Sequence, residues 1–305
     1  MNKETVTKLI LSQKPNLKES SVNTYLYNLK QIKNDVGGDD DYKFLTDADT
    51  VLEKIKHRPI SWQGTRLVSV ITLLKAQGYK SEDSDAIQKY VKAIQREIKE
   101  YSETAYSGVK NEKEKKNMIT IDEYNDLIKK TEPKGAPNGF NEYYSYMFNF
   151  LLHLYAFCPS RADFSNMVIV SNVKDANEAK ENVLLWNRKP KFIFKNYKTK
   201  KTHGDREVPI TDPTLIKKIK WWLHTNVSDK WLLSSFKDGA QINQNSLTKI
   251  LTRHFKKWTG KQISINTVRK IIASQHYESH KVLKDLAHKN GHTMNTQVIY
   301  VKNNK

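Results

Sequence analysis

Hydrophobic residues in the first third of the chain recur with the spacing of an α-helix. Val22, Tyr25, Leu26 and Leu29 fall at i, i+3, i+4 and i+7, which places them on one helical face, and Ser20 or Ser21 is predicted to cap this helix. Two further stripes consist of Leu67, Val70, Ile71 and Leu74, ending at Gly78, and of Ile87, Tyr90, Val91, Ile94 and Ile98. Three amphipathic helices predict a small all-α domain over residues 1–106.

The periodicity is lost in residues 107–117, where the sequence SGVKNEKEKKN is almost wholly polar and charged. This composition is typical of a solvated, flexible connection, so these residues are predicted to link two domains. A second domain then covers residues 118–305. It begins with a capping box, Thr120 to Glu123, and the apolar run from Tyr146 to Phe157 predicts a buried core helix.

The pattern changes again in the middle of the second domain. VLLWN, KFIFKNY and REVPI are short segments rich in β-branched and aromatic residues, separated by polar turns, and they predict antiparallel strands. Helical spacing returns at Pro213, a residue suited to the first position of a helix, and continues towards the C-terminus. The predicted fold class is therefore mainly α, with a small antiparallel sheet inserted in the second domain.

The charge of the chain points to nucleic acid as a partner. There are 52 Lys and Arg residues against 33 Asp and Glu residues, for a formal net charge of +19. Cations that contact phosphates release condensed counterions, which favours binding, although acidic proteins and membrane surfaces also attract basic chains. Within the third helical stripe, Lys89, Lys92 and Arg96 are candidates for phosphate contacts, with a solvated helix face as the alternative.

Other classes of protein are less compatible with this sequence. The only cysteine is Cys158, so an intrachain disulfide and a cysteine-rich zinc module are excluded, and an intracellular location is expected. No apolar stretch reaches the length of a membrane span. No phosphate-binding Gly-rich loop is present, and His288 and His292 lack an evident third ligand, so neither a metal nor another cofactor is expected.

Four segments of the second domain carry side chains suited to phosphate chemistry. They are residues 157–167 with Arg161 and Asp163, residues 196–210 with Lys198 and Lys201, residues 265–269 with Asn266 and Arg269, and residues 291–300 with His292 and Tyr300. Taken singly, each has an ordinary structural explanation: a helix-end arginine, a solvated hairpin tip, a packed tyrosine or a hydrogen-bonded histidine. Their common order and spacing are more informative than any one of them.

In this order the segments resemble the tyrosine recombinase (phage-type integrase) family. That family has an arginine after a buried helix, a lysine in a β-turn, a His-x-x-Arg element and a Gly-His element followed by the nucleophilic tyrosine. Lys201 matches the lysine, since it lies eight residues before Pro209. The resemblance implies a DNA breaking-rejoining catalytic domain over residues 118–305 and a helical core-binding domain over residues 1–106. The local motif forms look most like those of recombinases from eukaryotic DNA viruses, virophages and related mobile elements.

The resemblance also implies a mechanism. Arg161 and Arg269 would clamp the non-bridging oxygens of one phosphate, and Lys201 would protonate the departing 5′ oxygen. His292 would donate a hydrogen bond or accept the proton of Tyr300, which would form a 3′-phosphotyrosyl intermediate without metal or ATP. The expected partner is double-stranded DNA, on which the protein would assemble as a homo-oligomer, a tetramer.

The sequence departs from the family at two supporting positions. Asn266 stands where the family usually has histidine, and Asp163 lies two residues after Arg161, where many bacterial members have the acidic residue three residues after. Two alternatives therefore remain open. One is a type IB-like topoisomerase, which uses the same nucleophile and cationic pocket, and the other is a DNA-binding protein on the same scaffold that does not cut.

Overall fold

The computed structural model describes residues 1–106 and 109–275. The chain forms two compact units, Met1–Val109 and Lys110–Lys305, and each has its own hydrophobic core. The division between them falls inside the segment 107–117, which the sequence predicts to be a linker. Among the described residues, no helix is both long enough and apolar enough to span a bilayer.

The first unit is helical throughout its ordered elements. The three predicted stripes lie on α2, α4 and α5, and their most central residues, among them Leu29, Leu67 and Tyr90, are fully buried. The helices are α1 (Lys3–Gln13), α2 (Glu19–Val36), α3 (Ala48–Ile55), α4 (Ile60–Ala76) and α5 (Asp85–Tyr106), with a 3-10 turn at Lys43–Thr46. The predicted cap of α2 is wrong, because the helix begins at Glu19 and Lys18 occupies the N-cap position without a side-chain hydrogen bond.

The segment predicted to be a flexible linker is partly helical, which corrects that prediction. Helix α6 (Glu112–Asn117) is started by a capping box in which Asn111 and Glu114 exchange side-chain and backbone hydrogen bonds. Lys270 forms an ion pair with Glu114, and Lys261 Nζ donates to the carbonyl of Met118 at 2.8 Å. These contacts attach α6 to the second unit, so charge-rich composition here reflects a surface helix.

The helices of the second unit surround one long core helix. They are α7 (Ile121–Lys130), α8 (Phe140–Phe157), α9 (Val173–Glu178), α10 (Lys200–His203), α11 (Pro213–Thr225), α12 (Gln244–Thr259) and α13 (Ile265–Ser274). The predicted capping box at Thr120 and the N1 position of Pro213 are both confirmed. Helix α8 is buried on most sides and packs against α7, α11, α12 and α13, so its C-terminal end is held rigidly.

A four-stranded sheet lies beside this bundle, with strand order β1-β2-β3-β4. The strands are β1 (Met167–Val170), β2 (Asn182–Leu185), β3 (Lys191–Phe194) and β4 (Arg206–Pro209). The three predicted strands pair antiparallel, but β1 pairs parallel to β2, so the sheet is mixed and the prediction of a purely antiparallel sheet is wrong. The parallel pair is possible because residues 171–181, which include α9, return the chain to the end from which β1 started.

Candidate phosphate-binding site

Arg161 lies where the buried helix α8 gives way to the sheet. It precedes the 3-10 turn Ala162–Asn166, which leads directly into β1. Its backbone N–H donates to Asp163 Oδ2 at 3.2 Å, and its carbonyl accepts hydrogen bonds from Tyr155 Oη at 3.0 Å and from Ser160 Oγ at 3.1 Å. Because Tyr155 is fully buried, these bonds fix the backbone from which the half-buried guanidinium projects.

Arg269 reaches the same turn from a distant part of the chain. It lies on α13, which Ser264 caps, and its Nε donates to the carbonyl of Pro159 at 2.9 Å. Its Nη1 donates to Asn266 Oδ1 at 3.4 Å, so the residue that stands in place of the family's histidine contacts the arginine one turn later. These two bonds leave the other guanidinium N–H groups of Arg269 without a partner among the described residues.

Asp163 is the carboxylate at the centre of this corner, and it is only 6% exposed. Burial raises the pKa of Asp163 above its ordinary value, while the charges of Arg206, Arg161 and Arg269 oppose that rise. All three guanidinium charges therefore act electrostatically on this buried carboxylate, although burial has the larger effect on its pKa. They come from positions far apart in the sequence and from three different elements.

Arg206 is a member of this group that the sequence did not single out. It is the first residue of β4, and its guanidinium lies 4.2 Å from the ring centroid of Phe194, its cross-strand partner. Its charge also opposes the rise that burial causes in the pKa of Cys158, at the end of α8. The available signal in the sequence was its position at the end of the lysine-rich turn, but its place over Phe194 depends on the pairing of β3 with β4.

Lys198 and Lys201 lie on the connection between β3 and β4, as predicted. The connection includes the short helix α10, and both lysine side chains are exposed. Lys200 forms an ion pair with Asp205 at 2.9 Å, and Tyr197 Oη donates to the carbonyl of Gly204 at 2.8 Å. These bonds fold the connection back on itself. Within residues 1–106 and 109–275, no hydrogen bond or ion pair engages the ammonium of Lys201. None of the described contacts joins Lys201 to the three arginines.

Two of the proposed catalytic residues, His292 and Tyr300, lie outside the described residues. In the described part of the chain, no three His, Cys, Asp or Glu side chains are grouped in a way that suits a metal ion.

The three candidate cations of the first unit differ in their surroundings on α5. Lys89 forms ion pairs with Asp49 and with Asp85, at 2.5 and 2.8 Å, and these partners raise its pKa. Arg96 Nε lies 3.8 Å from Glu100 Oε1, and the side chains of both Arg96 and Lys92 are exposed. A phosphate would have to displace two carboxylates at Lys89, which makes Lys92 and Arg96 the better candidates for DNA contacts.

The sequence matches no family model and has no significant match among curated proteins.

Proposed function

We propose that the protein is a site-specific tyrosine recombinase that cleaves and rejoins double-stranded DNA through Tyr300. The observation that carries this proposal is the hydrogen bond from Arg269 Nε to the carbonyl of Pro159, which brings a guanidinium from a distant helix to the turn that carries Arg161. Guanidinium groups present paired donors that match two oxygens of a phosphate, and an arrangement fixed in advance needs no reorganisation during the reaction. The described fold agrees at the coarser level, being mainly helical with a small mixed sheet.

The proposed reaction begins when a phosphodiester binds to Arg161 and Arg269, with Arg206 as a third cation. Tyr300 Oη attacks phosphorus, the bond from phosphorus to the 5′ oxygen breaks, and Lys201 donates a proton to that oxygen. His292 would accept the tyrosine proton or bind a non-bridging oxygen. The product is a 3′-phosphotyrosyl bond, and attack by a 5′ hydroxyl reverses each step, so rejoining requires no ATP.

The structural environments of Asp163 and Asn266 give them supporting roles in this proposal. Asp163 accepts from the backbone N–H of Arg161, and Asn266 accepts from Arg269, so each holds one guanidinium-bearing residue in place. The first unit would bind DNA through cations such as Lys92 and Arg96, and the active species would be a homo-oligomer on DNA, a tetramer.

The direct test is covalent capture of DNA. The protein is incubated with nicked duplexes whose sequence is randomised around the nick, together with duplexes from the ends of the element that encodes it. Loss of the short strand downstream of the cleaved phosphate then traps the adduct. We expect a protein–DNA band that survives denaturation and is absent with Tyr300→Phe. Salt-sensitive binding without an adduct would overturn the proposal and indicate a DNA-binding protein that does not cut.

Relaxation of supercoiled plasmid distinguishes a recombinase from the remaining alternative, a topoisomerase. A recombinase should form adducts at a restricted set of sequences and join strands between two duplexes. Relaxation without sequence preference and without strand exchange would instead indicate a topoisomerase.

A further inference from the structure

Asn182 is a fully buried polar residue at the first position of β2, and it makes more side-chain hydrogen bonds than a core position requires. The two N–H groups of its Nδ2 donate to the carbonyl of Asp163 at 2.7 Å and to Asn166 Oδ1 at 2.8 Å, and the carbonyl of Asn196 at 3.2 Å shares one of them. Its Oδ1 accepts from the backbone N–H groups of Lys195 and Asn196, at 2.9 and 2.8 Å. One amide therefore binds two separate segments of chain.

These two segments carry the cations on which the proposed chemistry depends. Asp163 and Asn166 belong to the 3-10 turn that follows Arg161. Lys195 and Asn196 follow β3 directly and begin the connection that carries Lys201. The pairing of Met167 with Asn182 and of Phe194 with Arg206 brings the start of β1, the start of β2, the end of β3 and the start of β4 to the same end of the sheet.

The connection is also anchored on its other side. Lys195 Nζ donates to three carbonyls, those of Ala176, Asn177 and Ala179, at 2.6 to 3.0 Å. The backbone at Lys195 and Asn196 is therefore fixed between α9 and Asn182, and only a few residues separate it from Lys201. A shift of the amide would move the start of the connection relative to the arginine turn.

We infer that Asn182 is a positioning residue for strand cleavage, because it sets the placement of the Lys201 ammonium relative to the phosphate held by Arg161. The inference rests on the proposed function. An aspartate of the same size would keep the acceptor for the hairpin but lose the donors to the turn, and an aliphatic residue would lose both. An amide supplies both kinds of group in one plane.

The chemistry of the leaving group offers a selective readout. Proton donation by Lys201 matters when the leaving group is an alkoxide, but a thiolate leaves readily without a proton because its pKa is far lower. A duplex with sulfur in place of the bridging 5′ oxygen should therefore suppress a defect in Lys201 and in any residue that positions it. A defect in the arginine clamp should persist on both substrates.

The experiment measures adduct formation by wild type, Asn182→Ala and Asn182→Ser on the oxygen and sulfur forms of one nicked duplex that wild type cleaves. Lys201→Ala is the control in which sulfur should restore activity, and Arg161→Ala is the control in which it should not. We expect Asn182→Ala to slow adduct formation by about 10- to 100-fold on the oxygen substrate, as for a catalytic group displaced by about 1 Å, and by only a few-fold on the sulfur substrate. Because the two rates come from the same preparation, their ratio does not depend on how much of the variant is folded.

Equal losses on both substrates, or an unchanged rate on the oxygen substrate, would overturn the role of Asn182 while leaving the proposed function intact. If wild type cleaved none of the nicked duplexes offered to it, the proposed function would be overturned, and the inference would fall with it. Asn182→Ser introduces a smaller polar group and is the second variant, for which the same comparison applies.

Discussion

Removal of the Arg269 guanidinium is the perturbation that most directly tests the proposed phosphate clamp. The side chain donates through Nε to Pro159 and through Nη1 to Asn266, and no other described residue accepts from its remaining N–H groups. Loss of one preorganised donor typically slows a reaction by 100- to 1,000-fold, about 2.7–4 kcal/mol of transition-state stabilisation. We expect Arg269→Ala to slow adduct formation by this amount.

The stability of the same variant should change much less. The bond to Pro159 connects α13 to the end of α8 and lies near the protein surface, so its loss should cost about 1 kcal/mol of unfolding free energy. Arg269→Lys keeps the charge but cannot form the paired guanidinium contact, so its rate should lie between those of wild type and Arg269→Ala.

The assay is single-turnover adduct formation on the nicked duplex, together with urea denaturation of each variant. Lys270→Ala is the matched control, because it removes a cation from the adjacent position of α13, where the side chain pairs with Glu114. We expect the control to cleave within about threefold of wild type. If Arg269→Ala did the same, the assignment of Arg269 to the phosphate would be refuted.

Three further outcomes follow from the geometry. In the same single-turnover assay, Arg206→Ala should slow adduct formation at least tenfold, and Arg206→Lys should keep part of the activity. Equal rates for wild type and Arg206→Ala would show that Arg206 does not contact the phosphate. Burial raises the pKa of Asp163, so the unfolding free energy of wild type should fall relative to that of Asp163→Asn as the pH rises above about 4. Urea titrations of both proteins at several pH values measure this difference. A difference that stayed constant with pH would contradict the prediction. Lys218 is almost fully buried, and its ammonium donates to the half-exposed Glu132 at 2.5 Å. Glu132→Ala leaves this buried ammonium without its partner and should cost about 2 kcal/mol of unfolding free energy, measured by urea denaturation, whereas Lys218→Met should cost less. The opposite order would contradict the reasoning.

Local patterns were sufficient to predict several of the helices in the part of the chain that the structure describes. Helical spacing identified α2, α4 and α5, and the capping box at Thr120 and the proline at position 213 located the starts of α7 and α11. Each of these signals acts over one or two turns of chain, through side chains that contact their own backbone or share one face. Such features survive in any fold that buries that face.

Composition was misleading where a local motif or a distant partner decided the structure. The charged segment 107–117 contains helix α6, because Asn111 supplies a cap and the distant Lys270 neutralises Glu114. The short strand β1 was missed because its identity as a parallel neighbour of β2 depends on the crossover through α9. Both outcomes rest on contacts between residues far apart in the sequence.

The order and spacing of motifs named Arg161, Lys201 and Arg269 as candidates for one site, but not the means by which they are held. Tertiary structure alone decided that Arg206 lies over the ring of Phe194 and that Asn182 joins the arginine turn to the hairpin. Sequence records residue type and local spacing, whereas these contacts depend on which strand ends meet at one edge of the sheet. That meeting is determined by the pairing of strands and the crossover between β1 and β2, which no local pattern encodes.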